Sequence, residues 1–488
     1  MICCGPKQPN IIVILADDMG YGDLSCYNRE SRIQTPNMDS LAREGVSFTD
    51  AHSATACSTP SRYGLLTGRY CWRTPLQQLT FFNYERPLIE PDRLTLASLL
   101  KRHGYATACF GKWHVGLNYQ VKPGAKVNLD SPWPWYNGPL PDRAVSESID
   151  FSKPVTGGPL ELGFDTAFYT SGCSTDQEPF CFIDGDRCLD MEGAVYRNPA
   201  GSWRSGMTAP GWVNETVDIE FTRRAVRYIQ DRHTTDPENP FFLYLALSSP
   251  HSPHLSPEMV RGESDAGARG DLVCLVDWSV GEIAQTLDRF DLREDTLLIV
   301  TSDNGPLIGS QDPDPPEKKV GVTNGHLSAG NYRGYKAMIY EGGHREPLIA
   351  RWPRRIKAGT KTNELVCLTD FMATVAALVG TELPEDAGED SVNILPSFLG
   401  EKRGRPLRDS IIHQSNHGVY SLRRDRWKMI FQTKGNGRAA GPEPGSDGQL
   451  YDMADDPYET RDLWDEKPRI VEELCDLLAK QRGADRST

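Results

Sequence analysis

Two acidic pairs are the first candidates for chemistry. Asp17 and Asp18 directly follow the apolar run I-I-V-I-L-A, and Asp303 and Asn304 directly follow T-L-L-I-V-T-S. At the ends of neighbouring strands, three carboxylates and an amide would repel one another unless a cation sat between them. An all-oxygen donor set selects a hard ion, calcium or magnesium, over zinc. Either pair alone reads equally as the cap of a helix or turn; two pairs at strand ends favour the metal. Cationic and proton-transferring groups follow similar runs. Lys112 and His114 stand in F-G-K-W-H-V-G, and His251 and His254 in S-S-P-H-S-P-H. Lys336 stands in Y-R-G-Y-K-A-M-I-Y-E-G-G-H-R-E-P, with Arg333, His344 and Arg345 nearby. Taken singly, each histidine would be an ordinary core or surface residue.

The stretch A-C-S-T-P-S-R, residues 56–62, sets a thiol beside a hydroxyl just ahead of a proline. A serine or threonine cap, a proline in the first turn and an apolar Y-G-L-L are ordinary helix-entry signals. A capped helix start would account for the stretch by itself. A catalytic reading favours one of the two candidates. Arg62 lies four residues after Ser58 and so shares its helix face, a spacing that Cys57 misses by one. The helix N-terminus would also favour an anion there.

Positioning such groups requires a sheet with helices on both faces. Apolar strand-like runs at 10–16, 240–247 and 296–302 alternate with amphipathic helical patterns at 35–45, 93–104 and 217–232. That alternation predicts a doubly wound α/β sheet, whose carboxyl edge is where open sheets bind ligands. Two stretches read as excursions, a Pro/Gly/Trp-rich segment at about 119–158 and Q-D-P-D-P-P-E-K-K at 311–319. Near 400–409 the pattern changes to short strands and a final helix at about 468–481. A catalytic domain over 1–405 and a smaller C-terminal α+β domain, antiparallel sheet plus helix, over 406–488 are expected.

The 488 residues carry a net charge of −14, so the whole-molecule field repels nucleic acid, and an anionic substrate needs a local cationic pocket. No apolar run approaches the ~20 residues of a membrane span. Twelve cysteines lack zinc-ribbon spacing. Cys173, Cys181 and Cys188 fall in one loop-like stretch, where a local disulfide and free buried thiols are both open. No signal peptide is visible before the first strand. That fits a cytoplasmic protein as written, or a periplasmic or secreted one whose leader has been removed.

The motifs A-D-D, S-T-P-S-R-Y-G-L-L-T-G-R, G-K-W-H-V-G, S-P-H-S-P, S-D-N-G, Y-K-A-M-I-Y-E-G-G-H-R-E-P and, near the end, L-Y-D-M-A-D-D-P-Y-E-T-R-D-L occur in that order. Together they resemble the type I, formylglycine-dependent sulfatases across essentially the whole chain. The resemblance implies an alkaline-phosphatase-like fold and a nucleophile-x-Pro-x-Arg signature, which fits when counted from Ser58 and fails from Cys57. It implies that Ser58 is oxidised to formylglycine by a serine-type, radical-based maturase. One calcium ion is implied at Asp17, Asp18, Asp303, Asn304 and residue 58. Lys112 and Lys336 would neutralise the transferring group. His251 would protonate the leaving oxygen, and His114 would deprotonate the remaining hydroxyl. Asp176, His254, His326 and Arg333 would rim the pocket and bind a sulfated sugar. Two other readings remain: a phosphatase, phosphodiesterase or phosphonate hydrolase of the same fold, and a glycan-binding pseudo-sulfatase whose Ser58 is never oxidised.

Overall fold

The computed structural model describes residues 8–127, 129, 143–199, 201–307, 323–401, 403–431 and 447–488. The excursion at 311–319 and part of that at 119–158 lie outside the described residues. An eleven-stranded mixed sheet forms the frame. Its central strand, Asn10–Ala16, pairs in parallel with Thr296–Ser302 on one side and Phe241–Ala246 on the other. Ala106–Lys112 and then Thr166–Thr170 continue the parallel order beyond Phe241–Ala246. Beyond Thr296–Ser302 come antiparallel Arg345–Arg351 and Val46–His52. The latter therefore runs in the direction of the central strands.

All seven residues of Asn10–Ala16 are buried. A parallel strand covered on both faces needs such a continuous apolar run. Ile11, Val13 and Leu15 pack into one core with Leu65, Leu96, Leu100, Phe371 and Val375. Ile12, Ile14 and Ala16 point to the other face, against Phe221, Ala225, Val273 and Val280. The helices Ser58–Thr67, Leu96–Arg102 and Phe371–Leu378 thus cover one face. Val217–Thr235 and Gly267–Arg289 cover the other. The helix expected at 93–104 begins only at Leu96. Thr95 caps it, its hydroxyl accepting from the Ser98 N–H at 3.1 Å while Ser98 Oγ accepts from Thr95 N.

A separate antiparallel sheet of Ser410–Gln414, Tyr420–Arg424, Trp427–Phe431 and Gly448–Asp452 carries the helix Pro468–Gly483. Ile411, Leu422, Met429, Leu450, Leu474 and Leu478 form its core together with Tyr70 and Trp72 of the larger part. Backbone hydrogen bonds stitch it to the segment before Ser58. Gln414 N donates to Ala54 O at 2.9 Å, Ala56 N to Gln414 O at 3.0 Å, and Asn416 N to Ala337 O at 3.0 Å. Ala337 N in turn donates to Ala56 O at 2.7 Å.

A charged seam lies beside these bonds. Lys428 is fully buried, its ammonium 2.9 Å from Glu341 and 2.8 Å from Glu459. Removing one partner of a buried ion network leaves the others uncompensated. Lys428→Met is expected to cost about 3–5 kcal/mol, read as a lower urea midpoint at unchanged slope; a midpoint equal to wild type would deny the seam a role in stability.

Candidate active site

The carboxyl edge of the sheet gathers the expected residues. Asp17 and Asp18 follow the central strand, Asp303 and Asn304 follow its parallel neighbour, and Lys112 ends the strand Ala106–Lys112. Asp18 at φ 68°, His114 at φ 58° and Ala337 at φ 74° take left-handed backbone here. Strain of this kind collects at functional sites, where surrounding packing holds it in place.

Ser58 is the first residue of the helix Ser58–Thr67, and Cys57 occupies the cap position without a side-chain capping bond. The serine is therefore not the cap that helix-entry signals suggest. Its hydroxyl instead donates to Asp17 Oδ1 at 3.1 Å, with Asn304 Oδ1 at 3.5 Å and Lys112 Nζ at 3.2 Å. Cys57 directs its thiol to Leu79 O at 3.7 Å, and burial pushes that thiol up to about 12, so it stays protonated at neutral pH.

Each carboxylate is matched by a cation. Arg62 places Nε and Nη2 on Asp303 Oδ2 at 3.0 and 2.8 Å and Nη1 on Lys112 O at 3.0 Å. Lys112 sits on Asp17 at 2.5 Å, and Lys336 on Asp18 at 2.7 Å. Burial alone would raise Asp17, but the Lys112 ammonium and then His251 hold it below the ordinary carboxylate range. Burial works against charge on Lys336 too, and Asp18 followed by Asp17 more than restores it.

One carboxylate oxygen each from Asp17, Asp18 and Asp303 lie within 4.8 Å of one another. Asn304 donates its amide nitrogen to Asp18 Oδ1 at 2.7 Å and to Gly305 O at 2.9 Å, leaving its carbonyl oxygen turned toward Ser58. The donor set is oxygen only, which fits a hard cation.

Both histidines reach the same pocket. His251 Nε2 is 3.9 Å from Asp18 Oδ2, and burial and Lys336 are outweighed by Cys173, Asp17 and Asp18, so its ring is raised to about 9. His114 is lowered, chiefly by burial, and its Nε2 meets Phe81 O at 2.9 Å.

The four expected sugar-binding residues fare differently. Asp176 is buried with Oδ2 on Arg204 at 2.6 Å and Oδ1 unpartnered, and burial raises it to about 6. His254 keeps a buried Nε2 that is unpartnered among the described residues, and burial lowers it to about 3. His326 is committed within the fold, Nε2 to Asp23 at 3.0 Å and Nδ1 accepting from Arg32 N at 3.4 Å. Arg333 binds Tyr451 of the smaller sheet at 3.0 Å and the backbone oxygen of Glu459 in the loop after it at 3.1 Å, so it spans the seam rather than joining the cluster. Sequence reasoning missed Cys173, whose sulfur stands 3.6 Å from His251 Nε2; nothing in its local sequence marks it. Among the described residues, Cys173, Cys181 and Cys188 are all free thiols.

This fold and edge define an alkaline-phosphatase-like hydrolase. The sulfatase family model matches residues 9–381, and that of the N-sulphoglucosamine sulphohydrolase C-terminal region matches 330–484. The chain belongs to the sulfatase family and is a sulfuric ester hydrolase. It is 34% identical to an N-acetylgalactosamine-6-O-sulfatase of Bacteroides thetaiotaomicron, covering 97% of this chain and 93% of that one. It is 30% identical to human arylsulfatase A, covering 94% and 83%. A solved structure concerned with glycosaminoglycan metabolism by Bacteroides thetaiotaomicron superposes with a TM-score of 0.82 at 31% identity, covering 98% of this chain and all of the other. Family membership selects a sulfate ester. Among the described residues, no helix is long and apolar enough to cross a membrane.

Proposed function

We propose that the protein removes sulfate from a carbohydrate, using a formylglycine made from Ser58 by a serine-type maturase and one calcium ion. The observation that carries this is the placement of the Ser58 hydroxyl, at a helix N-terminus and 3.1–3.5 Å from Asp17, Lys112 and Asn304. Asp17, Asp18, Asp303, Asn304 and residue 58 would hold the ion, which supplies Lewis-acid polarisation of a sulfate oxygen. The aldehyde would supply, as its hydrate, two hydroxyls on one carbon, a chemistry that a plain serine hydroxyl lacks.

The remaining work belongs to the chain's own side chains. Lys112 and Lys336 bind the anionic sulfate and neutralise charge as it develops. Arg62 fixes Asp303 and the Lys112 carbonyl, so the nucleophile and the acidic cluster keep one geometry. His251 donates a proton to the leaving sugar oxygen, and His114 accepts one from residue 58. Asp176 Oδ1 and His254 Nε2, both buried and unpartnered, are the polar atoms most ready to meet sugar hydroxyls. His326 and Arg333 act in this reading by holding the rim from behind. Residues 1–405 carry the reaction, and 406–488 form the smaller buttressing part.

A carbohydrate substrate is supported by the relatives, one named for 6-O-sulfated N-acetylgalactosamine and one concerned with glycosaminoglycan metabolism. The matured enzyme is expected to release sulfate from one or more sulfated monosaccharides, followed by ion chromatography. Failure on every sugar sulfate, with the aldehyde at residue 58 verified and an aryl sulfate still cleaved, would remove the carbohydrate.

The leaving group offers a second test. An unactivated sugar alkoxide needs protonation and a phenolate hardly does, so His251→Ala is expected to slow sugar sulfates by about 10²–10⁴-fold and an aryl sulfate far less. Equal losses on both would mean that another group is the acid.

A further inference from the structure

Cys173 follows the strand Thr166–Thr170 and points into the pocket between the two histidines. Its sulfur lies 3.6 Å from His251 Nε2 and 4.0 Å from His114 Nδ1. The outer nitrogen of each ring is already fixed, His251 Nδ1 on Ser252 O and His114 Nε2 on Phe81 O. A neutral imidazole that donates its outer N–H to a carbonyl presents a lone pair on its inner nitrogen, as in metal-ligating histidines. Both inner nitrogens face the Cys173 sulfur. A carboxylate oxygen of Asp17 lies within 4.8 Å of Cys173 Sγ and His251 Nε2. The Cys173–His251 spacing suits a tetrahedral ion: bonds of about 2.3 Å to sulfur and about 2.0–2.1 Å to nitrogen separate those atoms by about 3.5 Å, whereas His114, 4.0 Å from the sulfur, stands outside the group of Asp17, Cys173 and His251.

We propose that Cys173, His251 and Asp17 form a binding site for a thiophilic divalent cation of the zinc or cadmium class, with His114 beside it. It shares Asp17 with the all-oxygen cluster and differs from it in its sulfur and nitrogen donors. Sulfur and nitrogen donors favour such ions over calcium. On binding, the proton shared by Cys173 and His251 leaves to solvent, and the thiolate and ring-nitrogen lone pairs bond the metal, with no change of oxidation state. The ion also takes the His251 lone pair that would otherwise carry the proton for the leaving group. Occupancy therefore switches the enzyme off. Lys112 remains on Asp17 and Ser58, so the new ion enters from the histidine side. Binding does not depend on the sulfatase reading; the loss of turnover does.

Cadmium chloride is the probe, added to the unconverted full-length chain with calcium in excess. The wild type is expected to bind one more cadmium per chain than Cys173→Ser, with a matching gain in thiolate-to-cadmium absorption. His251→Gln, which removes a ligand, is expected to weaken that extra site at least about tenfold, a loss that removing even a ligand's hydrogen-bond partner gives. Equal stoichiometry and equal absorption in wild type and Cys173→Ser would overturn the site. Should Cys173→Ser fail to fold, Cys173→Ala replaces it. Cadmium-113 NMR of the wild type reads the ligands directly: a mixed sulfur–nitrogen shift supports the site, and oxygen-only shifts reject it. In the matured enzyme, cadmium is expected to abolish sulfate release and a thiol chelator to restore it. Cadmium bound at Cys173 with turnover unaffected would overturn the inhibitory role and leave the proposed sulfatase chemistry standing.

Discussion

Co-produced with a serine-oxidising maturase, the chain is expected to yield a tryptic peptide lighter by two hydrogens, with the loss mapped to residue 58 and an aldehyde reactive toward hydrazides. Produced without that partner, the protein should fold, because the unconverted Ser58 hydroxyl already has Asp17 and Lys112 as partners. It should nonetheless be nearly inert. Ser58→Ala is expected to lower sulfate release at least about 10⁴-fold, the scale on which losing a catalytic nucleophile is felt, and to abolish hydrazide labelling. Cys57→Ala should keep both signals, since that thiol faces Leu79 O rather than the acidic cluster. Mapping of the modification to Cys57, or full turnover by unconverted protein, would overturn both the register and the chemistry built on it.

The metal gives the second large effect. Exhaustive chelation of the matured enzyme is expected to abolish turnover, and calcium to restore it. Asp303→Ala is expected to remove activity beyond rescue by calcium, and it should also destabilise the fold. Asp303 is the closest carboxylate to the fully buried Arg62 guanidinium, at 2.8 Å, whereas Asp17 is 3.7 Å away. Uncovering a buried charge in this way costs about 3–5 kcal/mol, so a lower urea midpoint should accompany the lost activity. Chelation of the wild type separates the two causes, since it alters no side chain. Turnover that survives chelation intact would take the ion out of the reaction.

How much of this could be read in the sequence follows from burial. Asn10–Ala16, Phe241–Ala246 and Thr296–Ser302 are buried on both faces and so spell continuous apolar runs. Ala106–Lys112 and Val46–His52 are nearly as buried, yet they mix in Thr, Gly, Ser and Asp and gave no comparable signal. The helix Gly267–Arg289 carries an apolar stripe of Val273, Val276, Val280, Ile283 and Leu287, but buried Arg269, Asp271 and Asp277 break the polar-outside pattern beside it, each satisfied by hydrogen bonds to other segments. In the site, Asp17, Asp18, Asp303 and Asn304 were legible because each follows a strand at once. The cap role of Cys57, the inward commitments of His326 and Arg333, and the approach of Cys173 to two histidines depend on contacts between segments far apart in the chain. Local spacing carries no record of them.

The bonds from Gln414 and Asn416 to Ala54, Ala56 and Ala337 bear on how such enzymes diversify and how they can be re-engineered. The strand that begins the smaller sheet is a splint for the two loops delivering residue 58 and Lys336. Swapping that sheet for a relative's, or trimming it away, would leave every reacting side chain in the chain but unfix the nucleophile's approach. A working chimera must therefore take its crossovers outside 54–58, 335–338 and 414–416, so that all three segments come from one parent.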